Sequence, residues 1–236
     1  MIDKSFLEKV VELAGVEIVT VGEKKYSTRN LVPVLEPATK TLNIHTLSGL
    51  VSCLEEIDVD SALCAVHVED YNFVLLISNI YGPHRQRATY AAAEAYKLDH
   101  RFGQYMQVED FIVYLLSMFV QDDTTADIMR IVGNITQGAE AQFADDGMTQ
   151  RITAKAGVAR VEMVDLPNPV MLRPFRTFSD IEQPSSAFVL RIKADKESGP
   201  RCALFEADGG AWKNKAIANI SSWLRYKLPV ATTIIA

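Results

Sequence analysis

The sequence predicts an α+β fold, a mostly antiparallel sheet packed by amphipathic helices, with the C-terminal half the richer in strands. Three observations carry this. Several segments of the 236-residue chain place apolar residues at helical spacing. Others alternate apolar and polar residues between clusters of turn-forming residues. After Asp145-Asp146-Gly147 the alternating kind dominates. One continuous domain over 1–236 accommodates this pattern, and the change of texture near 145 is the one place where a sub-boundary would fall.

In chain order, residues 3–14 set Phe6, Leu7, Val10, Val11 and Ala14 on one helical face, with Gly15 placed to end the helix. Residues 16–21 and 31–35 read as strands separated by the charged turn Gly22-Glu23-Lys24-Lys25, with Pro33 and Pro37 marking an edge or a loop. From Thr46, residues Leu47, Leu50, Val51, Leu54 and Ile57 define a second helix whose other face carries Glu55 and Glu56. Residues 62–69, 73–80 and 86–95 form a three-stranded meander, turning at Asp70-Tyr71-Asn72 and at Gly82-Pro83. Val108, Phe111, Ile112, Leu115, Leu116 and Phe119 mark a strongly apolar helix. Ile128, Ile131, Val132 and Ile135 mark another, with Thr124 or Thr125 expected as its N-cap and Asp122-Asp123 in the turn before it. Residues 149–156 and 158–164 alternate as a hairpin around Gly157, and 189–194 pairs with 202–207 across Gly199-Pro200. A helix over 212–227, anchored by Trp212, Ile217, Ile220 and Leu224, precedes the uncharged tail 229–236.

Composition narrows the function classes. With 48% hydrophobic and 23% charged residues, the chain has enough apolar material for a full core, and no long stretch is polar enough to be read as disordered. No stretch approaches the ~18 consecutive apolar residues of a membrane span, and the start Met1-Ile2-Asp3-Lys4-Ser5 lacks the apolar run of a signal peptide. A cytoplasmic location is expected. Cys53, Cys64 and Cys202 are odd in number and without CxxC spacing, so they read as buried apolar residues rather than a disulfide framework or a zinc site. A net charge of −6 opposes any general attraction to nucleic acid or anionic lipid and leaves room only for a local basic patch.

Motifs for catalysis are sparse. His67 and Glu69 form an H-x-E triplet, but the downstream P-C-x-x-C that would complete a deaminase zinc shell is missing, so a strand histidine among polar neighbours is the favoured reading. His45, His84 and His100 stand near turns or helix ends without a motif around them. The acidic groups Glu55-Glu56 with Asp58 and Asp60, Asp122-Asp123 and Asp145-Asp146 follow no ordered-ligand pattern and read as solvated turns. No nucleophile elbow, H-E-x-x-H helix, Walker loop or dinucleotide fingerprint occurs. No cofactor and no bound metal are expected.

Two segments stand out. In Phe205-Glu206-Ala207-Asp208-Gly209-Gly210-Ala211-Trp212 a strand runs through a glycine pair into a helix. Gly209 and Gly210 are free to take positive φ, and Asp208 is placed to cap the helix. Free amides at such a turn would suit an anion, which a capping Asp208 would repel. In Arg173-Pro174-Phe175-Arg176-Thr177-Phe178 two arginines either fork a phosphate or carboxylate ligand or pair with Asp180, Glu182 or Glu206. The excess of acids over bases favours the internal pairing.

These segments, with Asp145-Asp146-Gly147-Met148-Thr149-Gln150, Pro167-Asn168-Pro169-Val170 and Glu182-Gln183-Pro184, resemble hypothetical proteins encoded by phages and prophages of Gram-positive bacteria, most densely over 145–225. More loosely, Gln107-Val108-Glu109-Asp110-Phe111-Ile112 is similar to a segment of the YfdQ-type phage family. The resemblance implies a bacteriophage origin and a role inside the host cell, and it brings no catalytic residue with it.

The expected function is accordingly non-catalytic: a homo-oligomer that assembles as a scaffold or binds a host or phage protein. The rival readings are a nucleotide-binding protein or enzyme built on Arg173, Arg176, Asp208, Gly209 and Gly210, and an accessory to phage DNA replication or recombination, which the acidic charge disfavours. The tail 229–236 carries no charged side chain and is rich in β-branched residues, so it is strand-prone. It adds a strand to its own sheet or to a neighbour's edge. The second is expected, with Val230, Thr232, Ile234 and Ile235 at the contact.

Overall fold

Two sheets carry the fold, and each is buried on the side where its apolar residues alternate. The computed structural model describes residues 9, 15, 18–27, 40–57, 61–82, 85–135, 141–143, 150–155, 161–165, 168–195 and 199–236. The expected strand over 31–35, the Asp145-Asp146-Gly147 turn, Gly157 and, but for Lys9, the first helix lie outside the described residues.

A first hairpin joins β1 (Ile18–Val21) to β2 (Lys24–Ser27). It turns on Gly22-Glu23 alone, so Lys24 and Lys25, expected in the turn, belong to the returning strand. Next come β3 (Leu42–Ile44), α1 (Leu47–Glu56), and the meander of β4 (Cys64–Asp70), β5 (Phe73–Ser78) and β6 (Thr89–Glu94). The meander is antiparallel as the sequence predicts, with a register shift between Val68 and Asp70. Cys64, Val66, Val68, Val74, Leu76, Ala91 and Ala93 share one side of it and form the first core with Leu47, Leu50 and Leu54 of α1. The alanines of β6 lie under α1, where larger side chains would hold the helix off the sheet.

The chain then crosses to β7 (Met106–Gln107), α2 (Val108–Met118) and α3 (Asp123–Gly133). The N-cap of α3 is Asp122, not a threonine: its carboxylate accepts from the Thr125 amide at 3.0 Å and from the Thr125 hydroxyl at 2.9 Å. A three-stranded antiparallel sheet of β8 (Ala141–Phe143), β9 (Gln150–Lys155) and β10 (Val161–Asp165) contains the expected second-half hairpin. After it, β11 (Val170–Leu172), β12 (Ser186–Asp195) and β13 (Gly199–Glu206) join β7 in a four-stranded antiparallel sheet ordered β11-β12-β13-β7. Gly199 and Pro200, expected in the loop, open β13 opposite Asp195 and Ala194. The inner side of this sheet, including Phe188, Leu190, Ile192, Cys202 and Leu204, packs on Phe111, Leu115, Ile128 and Val132 as the second core.

Helix α4 (Ala211–Lys227) returns to the first core through Ile220 and Leu224, and β14 (Thr233–Ile235) follows it. β14 lies parallel to β4, giving a mixed five-stranded sheet ordered β14-β4-β5-β6-β3. Each core draws residues from both sides of 145. The architecture is α+β, and the three cysteines are buried and not joined in disulfides.

The two cores are stitched by the loop between β11 and β12, residues 173–185. Phe178 and Ile181 enter the first core, while the Arg173 carbonyl accepts from the Val120 amide at 2.9 Å and the Phe175 amide donates to the Met118 carbonyl at 2.9 Å, beside the second. Asp180 reaches across to the start of α1, where its carboxylate accepts from the Leu47 amide at 3.0 Å and the Ser48 amide at 3.1 Å. Thr46 accepts from Gly49 at 3.1 Å. Three amides that begin a helix without an acidic residue in its first turn are thus satisfied, and a negative charge meets the positive end of the helix dipole. Asp180→Ala is expected to cost about 1–2 kcal/mol, read as a lower urea midpoint at constant m-value. An unchanged midpoint would show that Thr46 and solvent satisfy this helix end by themselves.

Candidate functional site

The two arginines of the Arg173–Phe178 segment do not form one fork. Arg173 turns to α3, where its Nη2 is 3.1 Å from the Asp122 carboxylate, and its Nη1 is 3.2 Å from Glu182. Asp122 therefore caps a helix and holds an arginine at once. Burial would raise its pKa, but the Thr125 amide and hydroxyl together with Arg173 hold it below the usual carboxylate value. The expected pairing with the 180–183 segment is met by Glu182. Asp122 is an additional partner, read from sequence only as part of a solvated turn.

Arg176 turns the other way, inward. Its side chain is 6% exposed, and Nη1 lies 2.5 Å from Glu206 while Nη2 donates to the Ser186 hydroxyl at 2.6 Å. Three rings surround the guanidinium: Trp212 with its centroid at 4.0 Å, Phe102 at 5.5 Å and Phe188 at 5.6 Å. Burial lowers the pKa of Arg176, and Glu206 and Asp208 oppose that shift. Gln183 braces the backbone around it, accepting from the Arg176 amide at 3.0 Å and the Thr177 amide at 3.3 Å and donating to the Phe178 carbonyl at 3.0 Å. Thr177 donates to the Tyr71 carbonyl.

The glycine turn lies beside this cage. Asp208 does not cap α4 with its side chain. Its Oδ1 accepts from the Gly210 amide at 3.0 Å, its carbonyl accepts from Ala211 at 3.1 Å, and Gly210, at φ 82°, is the N-cap. Gly209 also has positive φ, so both glycines are required by backbone conformation. One amide offered to an anion in the rival reading is thus already occupied by a carboxylate. The structure brings Arg176, Asp208, Gly209 and Gly210 together around Trp212 and leaves Arg173 on the far side of the loop, engaged with Asp122. The nucleotide fork read from the arginine pair is not assembled, because each guanidinium already faces carboxylate oxygens.

A ring of aromatics that the sequence reading missed completes the site. His100 stacks on Phe102 with centroids 4.9 Å apart and planes 5° apart. Its Nε2 lies 2.9 Å from the Phe175 carbonyl, which only accepts, so that nitrogen carries the proton. Nδ1 faces the Tyr114 hydroxyl at 3.3 Å, and that hydroxyl accepts from the Arg101 amide at 3.1 Å. Burial lowers the His100 pKa and raises that of Tyr114 to about 12. Periodicity could not have found this cluster, since residues 95–105 form no regular element before β7.

His67 is half-buried on β4 with Glu69 exposed beside it, and among the described residues no group of three or more His, Cys, Asp or Glu side chains could hold a metal ion. No described helix is long and apolar enough to cross a membrane. A groove of about 280 Å³ runs between the α1 start and the 173–185 loop, rimmed by Tyr96, Leu98 and Phe175, with His45 stacked on Tyr96 at 4.2 Å.

The tail residues divide. Thr232 is buried and Ile234 packs on the first core, so they fasten β14 to β4 of the same subunit. This corrects the expectation that the tail leaves its own sheet: after Leu228 closes the helix against the core, the chain turns back through Pro229 and finds the unpaired side of β4. Val230 and Ile235 remain exposed. No family model, curated protein or solved structure matches the chain.

Removing the Arg176 guanidinium would leave Glu206 and Ser186 without their partner and the three rings around a void. Arg176→Ala should therefore cost about 3–5 kcal/mol, with Arg176→Lys only partly restoring it because one ammonium cannot serve both oxygens and stack flat on indole. Equal stability of Arg176→Ala and wild type in urea would contradict the cage. His100 gives a pH test. Its folded pKa lies below the unfolded value of about 6.5, so the unfolded state binds more protons in that interval. The stabilisation is complete above about pH 6.5 and is lost as pH falls toward the folded pKa. The wild-type loss below pH 6.5 should be shallower in His100→Phe, and identical slopes would show that His100 keeps its ordinary pKa.

Proposed function

We propose that this is a bacteriophage-encoded, non-catalytic protein that works inside the host cell by self-association, as a scaffold or as a binder acting against a host system. The resemblance of residues 145–225 to phage and prophage proteins supports the origin. One observation supports the mode of action: the free edge of β14, though only three residues long, carries no proline, bulge or charged side chain to keep it from pairing.

Among the described residues β14 is paired on one side only, in unbroken register with β4 from Thr233 to Ile235, and has no proline, bulge or charged side chain. Residues 228–236 contain no charged side chain, and Val230 and Ile235 stand exposed. The opposite edge, β3, follows Lys40 and is the less inviting of the two. In a chain of net charge −6, a neutral edge is where a second copy approaches with least repulsion. Two β14 strands meeting antiparallel across a twofold axis give an isologous contact and a sheet continuous between subunits.

Light scattering checks this. The wild type is expected at a multiple of 26.2 kDa, and both Ile235→Lys and deletion of residues 230–236 should lower the mass to one chain. A wild-type mass of 26.2 kDa refutes self-association, and an oligomer unchanged in both variants refutes the part of β14 in it.

A further inference from the structure

The outer side of the four-stranded sheet departs from the chain's acidic balance. Strand alternation puts Met171 of β11, Ala187, Val189, Arg191 and Lys193 of β12, and Arg201, Ala203 and Phe205 of β13 on the side opposite the second core. From Ala187 to Lys193 and from Arg201 to Phe205 this side holds no carboxylate. The backbone of Asp195 pairs with Gly199 at the hairpin end. Lys193 and Arg201 are exposed and stand directly opposite each other. Like charges in that position repel and weaken a sheet, and neither takes part in an ion pair among the described residues. An anion lying over the pair removes the penalty.

Aromatic rings adjoin these charges. The Lys193 ammonium sits 4.1 Å over the Tyr105 ring, and Tyr105 meets Phe205 edge-on at 6.1 Å. Phe205, a large hydrophobic 37% exposed on a sheet face, lies against Gly103, where an added Cβ would be 3.6 Å from the ring. The glycine backbone, at φ 73°, thus gives the ring a flat seat. Four residues of extended strand separate Arg201 from Phe205, about 13 Å, which is the reach of a few nucleotides.

We propose that this face binds single-stranded nucleic acid, with Lys193 and Arg201 on phosphates and a base stacked on Phe205. Phosphate charge satisfies the opposed cations, and a base satisfies an exposed ring that an acidic peptide would leave unused. A flat sheet offers no helix or ribbon to enter a duplex groove. The overall charge of −6 does not forbid this, since exposed charges farther away than about 8–10 Å are largely screened at physiological salt.

The test is fluorescence anisotropy of the intact protein with a labelled oligo-dT of about 16 nucleotides, against the same sequence as duplex and against poly-glutamate. Single-strand binding that falls with salt is expected. Lys193→Gln with Arg201→Gln should reduce the slope of log K against log salt by about 1.4. Phe205→Ala should weaken binding about ten-fold with little change in that slope, while Phe205→Tyr restores it. An unchanged circular dichroism spectrum and a cooperative melt in each variant confirm that the sheet is intact. Absence of oligo-dT binding overturns the proposal, as does equal affinity for duplex or poly-glutamate, or indifference to both sets of substitutions. Ile235→Lys, which addresses self-association alone, should bind a single oligo-dT site as the wild type does, so the two readings fail separately.

Discussion

The guanidinium of Arg176 is the point at which the two halves of this protein meet. On its own it is an expensive group to bury, and the fold surrounds it with every kind of partner a guanidinium can use: a carboxylate from the end of β13, a hydroxyl from the start of β12 and aromatic faces from three parts of the chain. The first core holds α1, α4 and the meander, and the second holds α2, α3 and the four-stranded sheet. Trp212 belongs to neither and lies over Arg176 at the start of α4. Arg176 therefore ties the helix that serves one core to the sheet that serves the other. The loop carrying it repeats the tie with Phe178 and Ile181 on one side and Arg173 with Asp122 on the other.

This dependence explains the chemistry of the Arg173–Phe178 segment better than a ligand would. Two arginines separated by a proline and a phenylalanine look like an anion fork when only their spacing is known. In the fold, backbone bonds from Arg173 and Phe175 to the end of α2 turn the two side chains to opposite sides of the loop. Each finds carboxylates brought there by distant parts of the chain. The excess of acids over bases argues for that outcome in general terms, and Glu182 and Glu206 are among the partners it suggests, but Asp122 is not.

What the sequence made legible is what depends on local periodicity. The helices at 47–56, 108–118 and 211–227, the meander and the 186–206 hairpin all follow from apolar spacing and turn residues within each segment. What it hid depends on partners far along the chain. Asp180 satisfies amides more than 130 residues away. His100 and Phe102 sit in an irregular crossing segment that no period marks. β14 is strand-prone by composition, yet its partner is fixed by where Leu228 leaves the helix and which side of β4 is still unpaired. The N-cap of α3 moved from threonine to Asp122 for a related reason, since the aspartate is held in place by Arg173 as well as by the helix.

The same redistribution of charge bears on the surfaces. A net charge of −6 describes the chain as a string, but Asp122 and Glu182 pair with Arg173, Glu206 pairs with the inward-turned Arg176, and Asp180 faces helix amides. Across the four-stranded sheet from Arg176, the outer side keeps Lys193 and Arg201 opposed with no acid between them. At the far end of the molecule's other sheet, β14 presents a neutral edge. An acidic protein thus keeps a face with two opposed cations and an edge without charged side chains, and overall composition says little about which partners such surfaces admit.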